Sequence, residues 1–227
     1  AALKAGCHHI DTTGEQSYMR AVRDQFGELY RQAGLLVSPS TAYMYTFAEI
    51  AAELALETDG VDVLETATLC RGTRFAAAGV TVGSTASIFE LFRSDQCYLW
   101  EKKLVPHAVG TTANVVDPGF VQPVFSIPWG GTSLPVYLEH DARVRCCTSY
   151  VGFYDNNVMQ LVHGLSQKWD AEYKNLPREQ QDAVIKQIVD STTPSMPPRE
   201  RTSVARTVDF AIGRGQIAAV RATVHGI

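Results

Sequence analysis

The spacing of apolar residues changes period part-way along this chain, and that change limits the folds open to it. Over residues 17–33 the period is helical, with Met19, Val22, Phe26, Leu29 and Tyr30 on one stripe. Gly34 suits the position just past a helix end. Residues 35–38 (LLVS) read as a short buried strand and 39–43 as a turn. A second helix spans 46–56, with Thr46 as N-cap and Glu49 three positions on, the capping-box spacing. Ahead of all this, residues 1–6 read as the last turns of a helix closed by Gly6, and 7–11 as a strand. Helix, strand, helix, strand, helix is the order of parallel α/β winding.

From residue 61 onward, β segments succeed one another on short loops. Strands are expected at 61–70, 97–105, 111–116, 121–127, 135–139 and 144–153, with a short helix at 84–92. Two amphipathic helices, 155–175 and 178–190, are separated by Pro177, and residues 192–200 form a Pro-rich loop. Residues 204–212 and 216–224 read as a closing hairpin around Gly213-Arg214-Gly215. The expected class is α+β: a mixed, largely antiparallel sheet with helices packed on one face, preceded by a remnant of a parallel α/β unit at 1–38. Opening on a helix tail and closing on a strand, the chain reads as a piece of something longer.

Composition removes several function classes. A net charge of −4 with acidic and basic residues interspersed gives no footprint for nucleic acid or for an anionic membrane. No apolar run approaches the roughly 18 residues of a membrane span. Cys7, Cys70, Cys97, Cys146 and Cys147 are odd in number and lack a CxxC spacing, so reduced thiols in a cytoplasmic protein are expected, with no metal site.

The densest chemistry lies in Ala5-Gly-Cys-His-His-Ile-Asp-Thr-Thr-Gly-Glu-Gln16. A helix end, a strand end and a polar turn form the concave junction where α/β proteins place ligands. His9 near Asp11 and Glu15 has the makings of a general acid or base; the alternative is that one of His8 and His9 is a core hydrogen-bonder and the other is exposed. Asp11, Thr12, Thr13 and Gly14 shape a ligand-facing loop, or Asp11 simply caps the next helix. Pro128-Trp-Gly-Gly-Thr-Ser133 is a second constellation. Gly130 and Gly131 let backbone amides approach a ligand, Thr132 and Ser133 donate, and Trp129 offers an apolar wall; a tight turn is the alternative. Arg199, in the rigid Met-Pro-Pro-Arg-Glu segment, is a candidate cation for a carboxylate or phosphate, or part of a stiff surface loop. Gly213, Gly215 and Ala218 match a degenerate GxGxxA fingerprint, but the alternating, Val-rich residues after them favour a hairpin over a phosphate cradle.

These residues give the chain a resemblance to the saccharopine dehydrogenase-like oxidoreductases of bacteria. It is carried by residues 5–16 (AGCHHIDTTGEQ), 33–57, 128–144 (PWGGTSLPVYLEHDARV) and 193–200 (TPSMPPRE). The family's first-site run is Gly-x-His-Tyr-x-Asp-x-Thr-Gly-Glu. Asp11, Thr13, Gly14 and Glu15 match it, His8 takes the place of its His, and His9 that of its Tyr. The resemblance implies a plan of an NAD(P)-binding Rossmann domain with an α+β domain after it for substrate and dimer contacts. On that plan residues 1–38 are the remnant of the nucleotide-binding domain and crossover, and 39–227 the substrate and oligomerisation domain. It also implies NAD or NADP as cofactor, a small-molecule substrate and a homodimer. The implied assignments are His9 and Glu15 for proton transfer, Asp11, Thr12, Thr13 and Gly14 on the cofactor side, and Trp129, Gly130, Gly131, Thr132, Ser133 and Arg199 on the substrate side. The rival readings are a non-catalytic dimerisation or scaffold module, and an acyl or lipid binder.

Overall fold

Leu64 of one strand, Cys147 of the next and Ala211 of a third point to the same side of a single sheet and have no exposed surface. The structure, a computed structural model, describes residues 1–72, 82–117, 122–128, 133–192, 205–215 and 219–226. Its strands are β1 (His9–Ile10), β2 (Val37–Ser38), β3 (Val61–Gly72), β4 (Cys97–Trp100), β5 (Lys103–Pro106), β6 (Ala113–Val115), β7 (Val124–Ile127), β8 (Cys146–Phe153), β9 (Ala205–Gly215) and β10 (Val220–Gly226). Its helices are α1 (Gln16–Val22), α2 (Glu28–Gln32), α3 (Tyr43–Leu56), α4 (Val82–Arg93), α5 (Leu134–Tyr137), α6 (Asn156–Glu172) and α7 (Arg178–Thr192).

β1 and β2 pair in parallel as a separate two-stranded sheet. The large sheet runs β10-β9-β3-β8-β4-β5, with β7 also on β8 and β6 on β7. Among the described residues only β3 and β8 of this sheet pair in parallel; its other pairs are antiparallel. The class is therefore α+β with a mixed, largely antiparallel sheet. One face carries the helices. Ala48, Ala51, Ala52 and Ala55 bring α3 down onto Leu64, Ala211 and Cys147, and Met159 and Val162 of α6 meet Val151 and Phe153. Small residues on α3 allow close approach, and each apolar contact adds to the burial that stabilises the layer. The β6–β7 pair covers part of the opposite face, with Val115 and Val124 against Leu69 and Phe210.

Several expected elements take a different form. The capping box fails because α3 begins at Tyr43 with Ala42 as N-cap, so Thr46 lies inside the helix and Glu49 is turned to Ser133. The stripe of the first helix breaks at a π segment, Arg23–Gly27, between α1 and α2. The wider turn rotates the downstream residues about the helix axis, so Phe26 and Leu29 face solvent while Met19, Val22 and Tyr30 stay buried. The strand at 35–38 is shorter than expected and not buried, since Leu36 is exposed. Residues 97–105 form a hairpin instead of one strand: Glu101 and Lys102 both adopt positive φ, as a two-residue turn of the I′ kind requires, without the Gly or Asn that advertises one. Residues 135–139 are helical, α5 continuing into a 3-10 turn at Leu138–His140, with Pro135 tolerated in the first turn. Gly213 and Gly215 lie within β9, where they pair with β3, and not in a turn. A strand, β10, comes next where a phosphate cradle needs a helix. Gly215 has its own explanation, since a Cβ there would overlap the Gly60 carbonyl.

Candidate functional site

The short parallel pair sets the geometry of the first motif. Both strands end pointing the same way, so the loop after β1 (residues 11–15) and the loop after β2 (residues 39–42) lie side by side. The backbone stitches them together. Asp11 N–H donates to the Ser38 carbonyl at 3.2 Å, and Thr41 N–H to the Asp11 carbonyl at 2.8 Å. This is the place at the carboxyl ends of parallel strands where α/β units bind ligands.

Asp11 is the hub of the first loop. Its Oδ2 lies 2.8 Å from His9 Nε2 and accepts from the Tyr18 hydroxyl at 3.1 Å, while its Oδ1 accepts from the Thr13 amide at 2.9 Å. Burial pushes the Asp11 carboxyl up, but the bonds from Thr13, His9 and Tyr18 outweigh it and hold the group below its ordinary value. Burial, joined by the Asp11 charge, pushes the Tyr18 phenol up. Glu15 folds back so that its carboxylate accepts from the Gly14 amide at 2.9 Å. Gly14 leaves no room for a side chain, because a Cβ would run into the Tyr45 hydroxyl.

A cleft of about 520 Å³ opens beside this loop. Thr13, Glu15, Ser17 and Tyr18 line one wall, and Glu90, Arg93, Ser94 and Arg178 the other. The guanidinium groups are not bare: Arg93 pairs with Glu90 and Asp182, and Arg178 with the same two carboxylates at 3.1 and 3.5 Å. Opposed walls with carboxylate, hydroxyl and guanidinium groups suit a small polar molecule better than an apolar one.

The structure thus brings His9, Asp11, Thr13, Gly14 and Glu15 together, with Thr12 on the exposed side of the same loop. Ser133 lies apart, buried at the start of α5, where its hydroxyl faces Glu49 Oε1 at 3.3 Å. Burial raises the Glu49 carboxyl and this hydroxyl partly offsets the shift. Trp129, Gly130, Gly131, Thr132 and Arg199 fall outside the described residues. Sequence patterns do not single out Tyr18, Ser40, Tyr45, Arg93 or Arg178. Only Tyr18 carries a local signal, one helical turn beyond Glu15 and close to the loop. The cations opposite come from α4 and α7, far along the chain, a meeting made by the tertiary fold.

The loop suits part of a dinucleotide and not the rest. Its Thr13 and Gly14 amides are already taken by Asp11 and Glu15, so they offer no cradle for a pyrophosphate. The two carboxylates fit hydrogen-bond donors such as ribose hydroxyls or a carboxamide. Among the described residues no group of three or more His, Cys, Asp or Glu is placed to hold a metal ion, and no helix is long and apolar enough to cross a membrane. All five cysteines are free thiols, four of them buried.

Comparison with known proteins places the chain in a family. Residues 46–227 match the model of a family of unknown function, DUF5938, and the chain belongs to that family. No curated protein matches it. Among solved structures, apo histidine-tagged saccharopine dehydrogenase (L-Glu forming) from Saccharomyces cerevisiae aligns over 99% of this chain at 10% identity with a TM-score of 0.45. This chain spans 66% of that one, and the likeness is a distant one of shape.

Proposed function

We propose that this chain is the substrate-binding and subunit-contact part of an NAD(P)-dependent oxidoreductase acting on a small polar substrate, with its reactive groups on the loop after β1. The observation that carries the reading is the His9–Asp11–Tyr18 cluster at the carboxyl ends of two parallel strands, beside a cleft with cations on its far wall. The resemblance of residues 5–16 to the saccharopine dehydrogenase-like run supports the same choice.

In this reading His9 moves the proton. Asp11, 2.8 Å from its Nε2, orients the ring, the arrangement of a base held by a carboxylate. Glu15, at the edge of the cleft, is the second proton-transfer group, held by the Gly14 amide. The Asp11–Gly14 loop meets the donor-bearing edge of the cofactor, and the cofactor, when bound, supplies the hydride. Ser133 and the 129–132 segment belong to the substrate side, with Arg199 as a cation for an anionic substrate group. Residues 1–38 belong with the nucleotide-binding unit, 39–227 form the substrate domain, and the working form is a homodimer in the cytoplasm.

Titration with NADH and NADPH of the longer protein this reading implies, one that carries the rest of the nucleotide-binding unit, then turnover with candidate imines and enoyl esters, tests the reading; the chain by itself is expected to be inactive. Saturable nicotinamide binding with hydride transfer is the expected result. Absence of both assigns the chain to a non-catalytic scaffold. The acyl-binder alternative requires a deep apolar pocket beside Pro128. The cavity of about 100 Å³ at that position is walled by His107, His163 and Asp170 as well as by Leu91 and Phe92.

A further inference from the structure

Ser40 is a non-glycine residue at φ 62°, in the left-handed region that costs an L side chain free energy. It is also 1% exposed, an unusual place for a serine in a loop. Both facts have one explanation in the contacts it makes. Its hydroxyl donates to the carbonyl of Thr13, in the facing loop. On either side of it, Ser38 and Thr41 make backbone bonds to Asp11. The end of β2 and the loop after it therefore grip the loop after β1 at three points, and Ser40 supplies the deepest.

The grip is anchored from outside. Tyr137, on α5, donates its hydroxyl to the carbonyl of Pro39, next to Ser40. Burial of that hydroxyl, reinforced by the Glu49 charge, pushes the phenol up, so it remains a donor over the ordinary pH range. Glu49 faces Ser133, the residue just before the same helix. A line of contacts thus runs from Glu49 and Ser133 through Tyr137, Pro39 and Ser40 to Thr13 and Asp11.

We infer that Ser40 and Tyr137 are positioning residues that hold the Asp11–Gly14 loop in one shape, with the strained backbone of Ser40 as the cost of bringing its hydroxyl to Thr13. Neither touches the cleft, so each acts through the loop. The inference builds on the site proposed above, but its test reads loop order directly and does not depend on catalysis.

Amide hydrogen exchange on the full chain, wild type against Ser40→Gly and Tyr137→Phe, provides that test. Glycine accepts positive φ without strain, so Ser40→Gly is expected to keep or raise global stability. Tyr137→Phe keeps the ring and loses only the hydroxyl. In both variants the Thr13 and Thr41 amides are expected to exchange about tenfold faster, the loss of roughly one hydrogen bond, while amides of β3 and β8 keep their protection. Unchanged exchange at Thr13 and Thr41 overturns the inference. So does a uniform rise across the whole sheet, which is the mark of a merely structural role. Failure of the longer protein to bind NADH or NADPH counts against the oxidoreductase reading alone and leaves this result standing.

Discussion

Ile10 and Leu64 are both branched apolar residues in strands that pair in parallel, yet Ile10 is 58% exposed and Leu64 has no exposed surface. The strand holding Leu64 is flanked on both sides, by β8 and β9, and covered by α3. Two residues each make up β1 and β2, and they bury little. Their loops are held by polar contacts through Asp11, Ser40 and Thr41. The large sheet is a platform stabilised by area removed from water, whereas the β1 junction is a polar assembly whose shape depends on individual hydrogen bonds. The proposed chemistry belongs to the second kind of region, where side chains are accessible and a carboxylate sits among donors.

That contrast predicts its largest effect in the sheet. Leu64→Ala is expected to cost about 2–5 kcal/mol, read by denaturant unfolding, because it opens a cavity under α3. A cost below about 1 kcal/mol would mean that the layer is loosely packed. Next comes Gly152→Ala in β8. The added Cβ would lie 2.8 Å from Val124 and press on Ser126 and Leu69, with an expected penalty of about 1–3 kcal/mol in thermal or denaturant unfolding.

The junction responds to charge instead. Asp11→Asn is expected to cost about 1 kcal/mol near neutral pH, because an amide NH2 in place of Oδ2 cannot accept from the Tyr18 hydroxyl, while the remaining oxygen still accepts from the Thr13 amide. Because folding lowers the Asp11 pKa, its contribution is present above the unfolded carboxyl value and is lost as pH falls through the folded value. The stability gap between wild type and D11N should therefore narrow on acidification. A gap that widens in acid would show that the Asp11 charge does not stabilise the fold. Smallest of all, Ile10→Ala should change stability by less than about 0.5 kcal/mol, since its side chain is already largely in water. If Ile10→Ala approached the cost of Leu64→Ala, the distinction between the two regions would fail.

The change from helical to β grammar at residue 61 is legible in the sequence because 61–70 and 144–153 are short apolar-rich runs, and they form the adjacent strands β3 and β8 at the buried centre of the sheet. So is the Gly6 stop before β1, which does adopt positive φ. What the period does not show is the π segment at Arg23–Gly27. There Arg23 reaches the Val136 carbonyl and Glu139, a tertiary contact that overrides the local stripe. Short apolar runs such as 135–139 look alike as strand or helix, and only the packing of Leu134, Val136 and Leu138 decides the matter. At the site, the residues from one loop are readable because they are adjacent in sequence. Ser40 hides inside an ordinary turn, and Arg93 and Arg178 lie some 80 and 160 residues from the loop they face, distances no motif spans.

The most direct test is the pH dependence of hydride transfer in His9→Gln and Glu15→Gln, made in the longer protein that carries the nucleotide-binding unit, with NADH and NADPH binding measured alongside. If the β1 junction performs the proton transfer, each variant should bind nicotinamide nearly as well as wild type, turn over at least about 100-fold more slowly, and lose one limb of the pH profile. Wild-type rates and an unaltered profile in both variants would contradict the assignment.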